Sequence, residues 1–181
     1  MLLEQNQSLL LLVDVQEKLT PLVQESAHLI ANCRWLLEIA SLLSIPTIVS
    51  EQYPKGLGET VTELQQFKHA HNTITKVHFS CVDDVAGGSL IEKMGRQQIV
   101  LIGIESHVCI LQTALGLVKK GKNVFVVANA VSSRNKEDKK WALKRMQQAG
   151  VQVVTKEMVV FEWLHRSDQD IFKTISKQYL R

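Results

Sequence analysis

The sequence predicts an α/β fold, a three-layer α/β/α sandwich with a six-stranded, mainly parallel sheet. Six short apolar runs alternate with longer segments in which apolar residues recur at helical spacing, along the whole 181-residue chain. The first run, Ser8–Val13, is almost continuously apolar, which is typical of a strand buried on both faces of a parallel sheet. Repeated strand–helix units of this kind build such a sheet through right-handed crossovers. We therefore expect a single domain over residues 1–181.

The first half of the chain is predicted to contribute three strands. After the first strand, apolar side chains fall on one side of a helix, and the second strand follows that helix directly. Proline and glycine then mark a loop, because both residues favour turns. In chain order the predicted elements are strand Ser8–Val13, helix Ser26–Leu43, strand Ile45–Ser50, loop Tyr53–Gly58, a short helix Thr60–Phe67 and strand Thr73–Phe79.

Glycines mark the helix ends in the second half. Gly95, Gly121 and Gly150 each follow a segment with helical spacing, and helices commonly end at such a glycine. A last helix is predicted to begin near Ser167–Asp170, where a capping residue is followed by acidic residues. The other predicted elements are helix Ser89–Met94, strand Gln98–Ile102, helix Cys109–Lys120, strand Asn123–Ala128, helix Lys136–Ala149 and strand Val151–Thr155.

Composition and charge narrow the class of protein. Hydrophobic residues make up 45% of the chain and charged residues 22%, as in ordinary globular domains. The net charge is only +3, and acidic Glu137 and Asp138 interrupt the one basic run, which indicates a solvated helix face rather than a nucleic-acid surface. No apolar run approaches the ~20 residues of a membrane span. The three cysteines form no CxxC pair, and the amino terminus has no cationic targeting pattern, so we expect a cytoplasmic protein.

Cys109 is the first candidate for chemistry. It follows an apolar strand and a turn, and it opens a segment with helical spacing. A helix N-terminus favours negative charge, so this position predicts a depressed thiol pKa and a nucleophilic sulfur. The alternative is that Cys109 is a small buried hydrophobic residue, as free cysteines often are.

Asp14 and Lys76 lie near the carboxyl ends of two other predicted strands. In open parallel sheets the ligand crevice lies at those ends, so the Asp14 carboxylate is either a helix cap or a functional base. A lysine in a short strand usually marks an exposed edge. Buried beside a carboxylate and a thiol, however, Lys76 would stabilise both groups as anions.

Three pieces of this chain resemble the isochorismatase-like cysteine hydrolases, the superfamily that includes nicotinamidase and N-carbamoylsarcosine amidase. The pieces are LLVDVQ at residues 11–16, Lys76 in the third strand, and GIESHVC at residues 103–109. The segment EQYPKGLG at residues 51–58 resembles a branch of small single-domain members whose substrates are mostly unassigned. The resemblance covers nearly the whole chain and implies the Rossmann-like topology of that family, with strand order 3-2-1-4-5-6.

The resemblance also implies a role for each candidate residue. Cys109 would be the nucleophile, Asp14 would take the thiol proton and return it to the leaving group, and Lys76 would stabilise the charged pair. The family's oxyanion hole uses backbone N–H groups, which map here to Glu105 and Cys109. In the family a cis peptide bond turns the first of these inward, and it would fall between Ile104 and Glu105.

This chain departs from the nicotinamidase pattern in its metal ligands. Nicotinamidases carry an Asp/His metal cluster after the second strand, whereas here the region reads SEQYP and no histidine precedes His69 in that segment. His69 and His71 are two residues apart and would point in opposite directions if extended. We therefore expect neither a catalytic metal nor another cofactor. A nucleophilic cysteine also argues against true isochorismatase chemistry, which cleaves a vinyl ether without one.

The first functional hypothesis is a metal-independent cysteine hydrolase that cleaves an amide or related C–N or acyl bond of a small molecule through a thioester. Its pocket would add Gln16, Tyr53, Phe79 and Phe161 to the three chemical residues, with Phe161 supplied by a neighbouring segment or subunit. The alternatives are a non-catalytic oligomeric scaffold or binding protein and a redox-sensing thiol protein. Cys81 lies near Lys76 in sequence and either lines the pocket or belongs to an ordinary loop.

We also expect the chain to form a homo-oligomer. Family members commonly assemble, and Trp141, Phe161, Trp163 and Leu164 are bulky apolar residues beyond what a helix face normally exposes. The alternative for these four residues is ordinary packing in the core.

Overall fold

The computed structural model describes residues 1–180 and contains a six-stranded sheet in which every neighbouring pair of strands is parallel. The strand order is β3-β2-β1-β4-β5-β6, as the family resemblance implied. The strands are β1 (Ser8–Val13), β2 (Thr47–Gln52), β3 (Thr73–Lys76), β4 (Gln98–Ile104), β5 (Asn123–Ser132) and β6 (Gln152–Val154). The predicted fold class is confirmed.

Seven α-helices accompany the sheet within residues 1–180. They are α1 (Ser26–Leu42), α2 (Pro54–Leu57), α3 (Val85–Lys93), α4 (Leu111–Lys119), α5 (Lys136–Gln148), α6 (Lys156–Leu164) and α7 (Asp170–Tyr179). Short 3-10 turns cover Gln5–Gln7, Thr20–Leu22, Thr62–Phe67 and Ala70–Asn72, and a π-helical turn covers Ser106–Ile110. None of these helices is both long and apolar enough to cross a membrane.

Alternation along β1 explains the three layers. Leu10 and Leu12 pack into one buried cluster with residues of α1, α6 and α7, whereas Leu9 and Leu11 pack into a second cluster with α3, α4 and α5. Side chains of successive strand residues point to opposite faces, so a strand that is apolar throughout must be covered on both sides. Both faces of β1 are fully buried, which agrees with the continuous apolar run in its sequence.

The structure differs from the predicted elements at five positions in the chain, among others at helix and strand ends. Helix α6 was not anticipated, the segment predicted as loop Tyr53–Gly58 contains α2, and α3 begins at Val85 rather than Ser89. The Asp84 carboxylate explains the early start of α3, because it accepts a hydrogen bond from the Gly87 N–H at 3.0 Å and so caps the helix. Strand β3 ends at Lys76 instead of continuing to Phe79, and β5 extends to Ser132.

Gly103 allows a close approach between β1 and β4. Its φ is +114°, and a Cβ atom at this position would lie 2.1 Å from the backbone oxygen of Val13. Only glycine has neither the Cβ nor the conformational restriction that would forbid this contact. The backbones of β1 and β4 are therefore very close at their carboxyl ends. Asp14 follows β1 directly, so it lies beside the turn that follows β4 and carries Cys109.

Candidate active site

The sheet register places Asp14 and Lys76 at one edge. Val13 pairs with Ser50 across β1 and β2, and Gln52 pairs with Lys76 across β2 and β3. The carboxyl ends of three neighbouring strands thus meet, and Lys76 reaches over β2 toward Asp14. Asp14 has a left-handed φ of 53°, which turns the chain immediately after the strand.

The Asp14 carboxylate is buried and has two side-chain partners. Its Oδ1 accepts a hydrogen bond from Ser50 Oγ at 2.6 Å, and its Oδ2 accepts one from Lys76 Nζ at 2.7 Å. Both side chains of the ion pair are at most 1% exposed. A buried carboxylate costs free energy unless it is paired and hydrogen-bonded, and here both conditions are met. These contacts are not those of a helix cap.

Lys76 belongs to an edge strand, yet its ammonium group is buried. It donates to Asp14 Oδ2 and to Gln52 Oε1, each at 2.7 Å. Burial on its own lowers the pKa of Lys76, but the nearby Asp14, Cys81 and Cys109 raise it above the ordinary lysine value. Lys76 therefore carries a positive charge inside the site.

Cys109 is buried in the π-helical turn Ser106–Ile110, which precedes α4. Burial raises the pKa of its thiol, and the Asp14 carboxylate raises it further, while Lys76 lowers it by less. The depressed pKa predicted from a helix start was wrong, because the sulfur is desolvated and lies beside a carboxylate. The resting group is a neutral thiol next to a base.

The turn before Cys109 is hydrogen-bonded to residues at the β5–α5 junction. The peptide bond between Ile104 and Glu105 is cis, as the resemblance implied. Glu105 Oε2 accepts hydrogen bonds from the backbone N–H of Arg134 at 3.0 Å and from its Nε at 3.1 Å. The Ser106 hydroxyl donates to the Ser132 carbonyl at 3.0 Å. That the Glu105 and Cys109 N–H groups form an oxyanion hole remains a prediction.

Cys81 is a second thiol beside the site. It is fully buried, and its backbone N–H donates to Thr113 Oγ1 at 3.0 Å. Burial and Asp14 raise the pKa of Cys81 to about 11, whereas Lys76 and the hydroxyls of Ser50 and Thr113 oppose the change. The Cys81 thiol is therefore a neutral group near the ion pair, and whether it lines a substrate pocket remains a prediction.

The structure separates the predicted pocket residues into three groups. Gln16 is buried, and its amide is hydrogen-bonded to backbone groups of Gln52 and Gly58, so it supports the framework. Tyr53 and Phe79 follow the carboxyl ends of β2 and β3, and their side chains are 53% and 52% exposed. Their contact with a substrate remains a prediction.

Phe161 is the predicted pocket residue that the structure does not bring to the site within one chain. It lies on α6, half exposed, with its ring centroid 6.5 Å from that of Phe172. Helix α6 covers the opposite face of the sheet from α4, which explains the separation. Phe161 could reach a site only in another copy of the chain.

The histidines and acids after β2 do not form a nicotinamidase-like cluster. Glu51 is buried, and its Oε1 accepts hydrogen bonds from the Thr60 N–H and hydroxyl and contacts Lys68 Nζ at 2.9 Å. His69 and His71 lie around a 3-10 turn and stack at 5.5 Å, which corrects the expectation that they point in opposite directions. They precede β3, at the end of the sheet away from Asp14. Within residues 1–180 no group of three or more metal-binding side chains is arranged around one point.

Sequence reasoning missed Gln52, which contacts Lys76 directly. Its signal in the sequence is only its position, at the end of the second strand and level with Lys76 in the neighbouring strand. An acid, a cation and a thiol thus meet at the carboxyl edge, with amides and hydroxyls around them. This combination can transfer a proton from sulfur to carboxylate while a fixed positive charge compensates the anion.

Known proteins resemble this chain in sequence and in fold. The isochorismatase domain family matches residues 8–158. Isochorismatase domain-containing protein 2 of Danio rerio is 40% identical over 170 residues, which are 94% of this chain and 85% of that protein. The structure of MAR1 ribonuclease from Caenorhabditis elegans aligns with a TM-score of 0.91 and 38% identity, over 100% of this chain and 93% of that one.

A second solved structure extends the likeness. The YcaC gene product of Escherichia coli, an octameric hydrolase of unknown specificity, aligns with a TM-score of 0.92 and 27% identity, over 99% of this chain and 92% of that one. The family match covers most of the chain, and the same fold recurs in both structures. This chain therefore belongs to the isochorismatase family of hydrolase-fold proteins.

Proposed function

We propose that the protein is a metal-independent cysteine hydrolase that cleaves an amide or a related C–N or acyl bond of a small molecule through a thioester. The observation that carries this proposal is the buried Asp14–Lys76 ion pair next to the buried Cys109 thiol. Such a pair costs desolvation free energy and is weak support for stability alone. A function for the three groups together accounts for their convergence.

In the first step, the Cys109 sulfur attacks the carbonyl carbon while Asp14 accepts the thiol proton. Backbone N–H groups of Glu105 and Cys109 stabilise the resulting oxyanion. When this intermediate collapses, the C–N bond breaks, Asp14 returns the proton to the leaving nitrogen, and a thioester remains on Cys109. The raised thiol pKa suits this sequence, because proton transfer then accompanies attack instead of preceding it.

In the second step, water hydrolyses the thioester. Asp14 accepts a proton from the water as its oxygen attacks, and the C–S bond breaks as the proton passes to the sulfur. The acid leaves and the neutral Cys109 thiol is restored. Lys76 stays protonated throughout, since its pKa is raised, and stabilises the anionic carboxylate and each anionic intermediate.

The donor set supports chemistry without a bound metal. The carboxylate of Glu51 is engaged by Thr60 and Lys68, and the side-chain oxygen of Gln52 is engaged by Lys76. The groups that follow β2 are thus used in hydrogen bonds that hold the site together. Prolonged chelation is expected to leave turnover unchanged.

Ribonuclease activity is a second candidate, favoured by the name of the C. elegans relative. A phosphodiester would need cationic groups along an extended strand. At the site described above, Lys76 is a single buried cation paired with Asp14. Small amides and acyl compounds fit that arrangement better.

The test is a substrate screen with matched variants. Amides, ureides, acyl compounds and a short RNA are incubated with the wild type, Cys109→Ala and Cys33→Ala, and the release of ammonia, acid or nucleotide is measured. Cys33 is the control because it is also buried but lies in α1, with its sulfur 3.6 Å from the Ala130 carbonyl.

We expect small-molecule hydrolysis that Cys33→Ala retains and Cys109→Ala loses. Hydrolysis that survives in Cys109→Ala would contradict the proposal, and so would cleavage of RNA alone. Turnover that is absent from every folded preparation would favour the non-catalytic scaffold. A reversible loss of Cys109 reactivity in mild oxidant, without any turnover, would favour the redox sensor.

A further inference from the structure

Gln52 is a second hydrogen-bond partner of the Lys76 ammonium group, besides Asp14. Within residues 1–180, the hydrogen-bond acceptors of Lys76 Nζ are Asp14 Oδ2 and Gln52 Oε1, each at 2.7 Å. An ammonium group has three N–H donors on a flexible stem, so one acceptor would leave it free to rotate. Two acceptors fix the position of its nitrogen.

Chemistry fixes the orientation of the Gln52 amide. Its Nε2 donates to the Val77 carbonyl at 2.9 Å, while its Oε1 accepts from Lys76. A carbonyl only accepts and an ammonium only donates, so the reversed amide would lose both hydrogen bonds. The oxygen must therefore face Lys76.

Gln16 holds the backbone of Gln52 in turn. The Gln16 Oε1 accepts from the Gln52 N–H at 2.7 Å, and the Gln16 Nε2 donates to the Gln52 carbonyl at 3.0 Å and to the Gly58 carbonyl at 2.7 Å. All these groups are buried or partly buried. The side-chain amides of Gln16 and Gln52 thus form a chain of hydrogen bonds that ends at Lys76 Nζ.

The neutrality of Gln52 matters for the charge of the site. The titratable groups that act on Lys76 are Asp14, Cys81 and Cys109. We propose that Gln52 is a positioning residue that holds Lys76 without neutralising it, so that the full charge remains available to the Asp14 carboxylate and the Cys109 thiolate. A carboxylate at position 52 would compete for that charge and disfavour the thiolate. This inference rests on the proposed function.

The test is the rate at which iodoacetamide alkylates Cys109, followed across pH by peptide mass spectrometry. Gln52→Glu is expected to slow alkylation about tenfold near neutral pH and to move its pH profile upward by about one unit. Gln52→Met is expected to slow it as well, because Lys76 loses a tether without any added charge. The control is Gln66→Glu, which makes the same chemical change at an exposed position.

The outcomes separate this inference from the proposed function. If wild-type Cys109 resists alkylation at every pH, the proposed nucleophile fails and the inference fails with it. If wild-type Cys109 reacts and the folded Gln52 variants keep its rate and pH profile, only the role of Gln52 is overturned. Circular dichroism checks folding, and loss of the fold in both variants would assign Gln52 to the framework and contradict the proposal.

Discussion

At the scale of single residues, the site depends on which groups carry charge before a substrate arrives. Lys76 is charged, and Cys109 is a neutral thiol, because burial and Asp14 oppose its ionisation. In the substrate-free protein the thiolate is therefore a minor form near neutral pH, and its share increases as pH rises. Because the thiolate is the reactive form, alkylation and oxidation of the resting sulfur should be slow near neutral pH and faster at alkaline pH.

Replacing Lys76 by methionine tests the ion pair. Asp14 would keep its hydrogen bond from Ser50 but lose its buried cation. We expect a loss of about 3–5 kcal/mol in the free energy of unfolding and a fall of about 10²–10³-fold in turnover. Urea denaturation and steady-state rates measure these effects.

The matched control for that variant is Lys173→Met. Lys173 also forms an ion pair with an aspartate, Asp170, but both side chains are largely exposed. It should therefore cost at most about 1 kcal/mol. Equal losses in the two variants would contradict the importance of the buried pair.

The buried thiols predict how stability changes with pH. An unfolded cysteine ionises near its ordinary value of 9.0, whereas burial raises the pKa of Cys33, Cys81 and Cys109 in the folded protein, that of Cys81 to about 11. Above pH 9 the unfolded chain therefore binds fewer protons than the folded one. Stability falls as pH rises in that window, and the raised pKa of Lys76 adds to the loss at higher pH.

Urea denaturation between about pH 7 and pH 11 measures this effect. Cys81→Ala should flatten the alkaline decline, because it removes one of the shifted groups. Stability that stays constant or increases above pH 9 would show that the thiols are not desolvated as described.

The sequence was sufficient to select Asp14, Lys76 and Cys109 as candidates, because each lies at or after the carboxyl end of a strand and matches the family motifs. It did not predict that the Cys109 thiol is neutral, and it did not predict that Gln52 contacts Lys76. A thiol pKa depends on burial and on the distance to a carboxylate, which spacing along the chain does not specify. The contact between Gln52 and Lys76 depends on the pairing of β2 with β3.

At the scale of elements, the ends of β1 and β4 determine the positions of Asp14 and of the turn that carries Cys109. The close approach at Gly103 sets where the GIESHVC turn departs from the sheet. At the β5–α5 junction, Ser132 and Arg134 form hydrogen bonds with Ser106 and Glu105 of that turn. The approach of Gly103 to Val13 and the hydrogen bonds from the β5–α5 junction together determine where the Cys109 sulfur lies.

Gly103→Ala tests the close approach. The added Cβ would lie 2.1 Å from the Val13 backbone oxygen, so a strand must move. We expect a destabilisation above about 4 kcal/mol, which is exceptional for one methyl group, or failure to fold. Thermal and urea unfolding give the value.

Gly121→Ala is the control for backbone strain. Gly121 also has a positive φ, but a Cβ there would meet nothing within 4 Å. Its cost should stay near the ~1–2 kcal/mol of a left-handed residue. Comparable costs at the two positions would mean that the Val13 contact is not limiting.

Helices and strands were predictable from the sequence where the apolar pattern was long or where glycine marked its end. The six strands and the helices that precede Gly95, Gly121 and Gly150 follow from apolar periodicity and glycine positions. Helix α6 was missed because it follows β6 after Thr155 alone, without a proline or glycine to separate them. The extra helical residues of α3 depend on the Asp84 cap, which lies ahead of a glycine pair that looks like a turn.

At the scale of the whole molecule, two of the four proposed interface residues belong to the core. Trp163 and Leu164 are 2% and 4% exposed, and Trp163 Nε1 donates to Ser8 Oγ. Trp141 and Phe161 remain about half exposed on α5 and α6. Single exposed aromatic residues are common on monomeric proteins, but the octameric state of the E. coli relative makes these two residues candidates for a contact between copies of the chain.

We therefore predict a homo-oligomer whose contacts include Trp141 or Phe161. Light scattering at micromolar concentration should give a multiple of the 20.4 kDa chain mass. Trp141→Glu or Phe161→Glu should lower that mass, whereas Gln66→Glu should not. A wild-type mass of one chain would rule out the assembly, and with it any Phe161 contribution to a neighbouring site.

Acyl transfer to Cys109 is the most direct measure of the chemistry proposed for this site. The protein is mixed with p-nitrophenyl acetate, the release of p-nitrophenolate is followed in stopped flow, and the quenched protein is mapped by mass spectrometry. We predict a stoichiometric burst with the acetyl group on Cys109, lost in Cys109→Ala and retained in Cys33→Ala. No burst, or a burst of equal size in Cys109→Ala with acetyl groups on other residues, would contradict the cysteine mechanism.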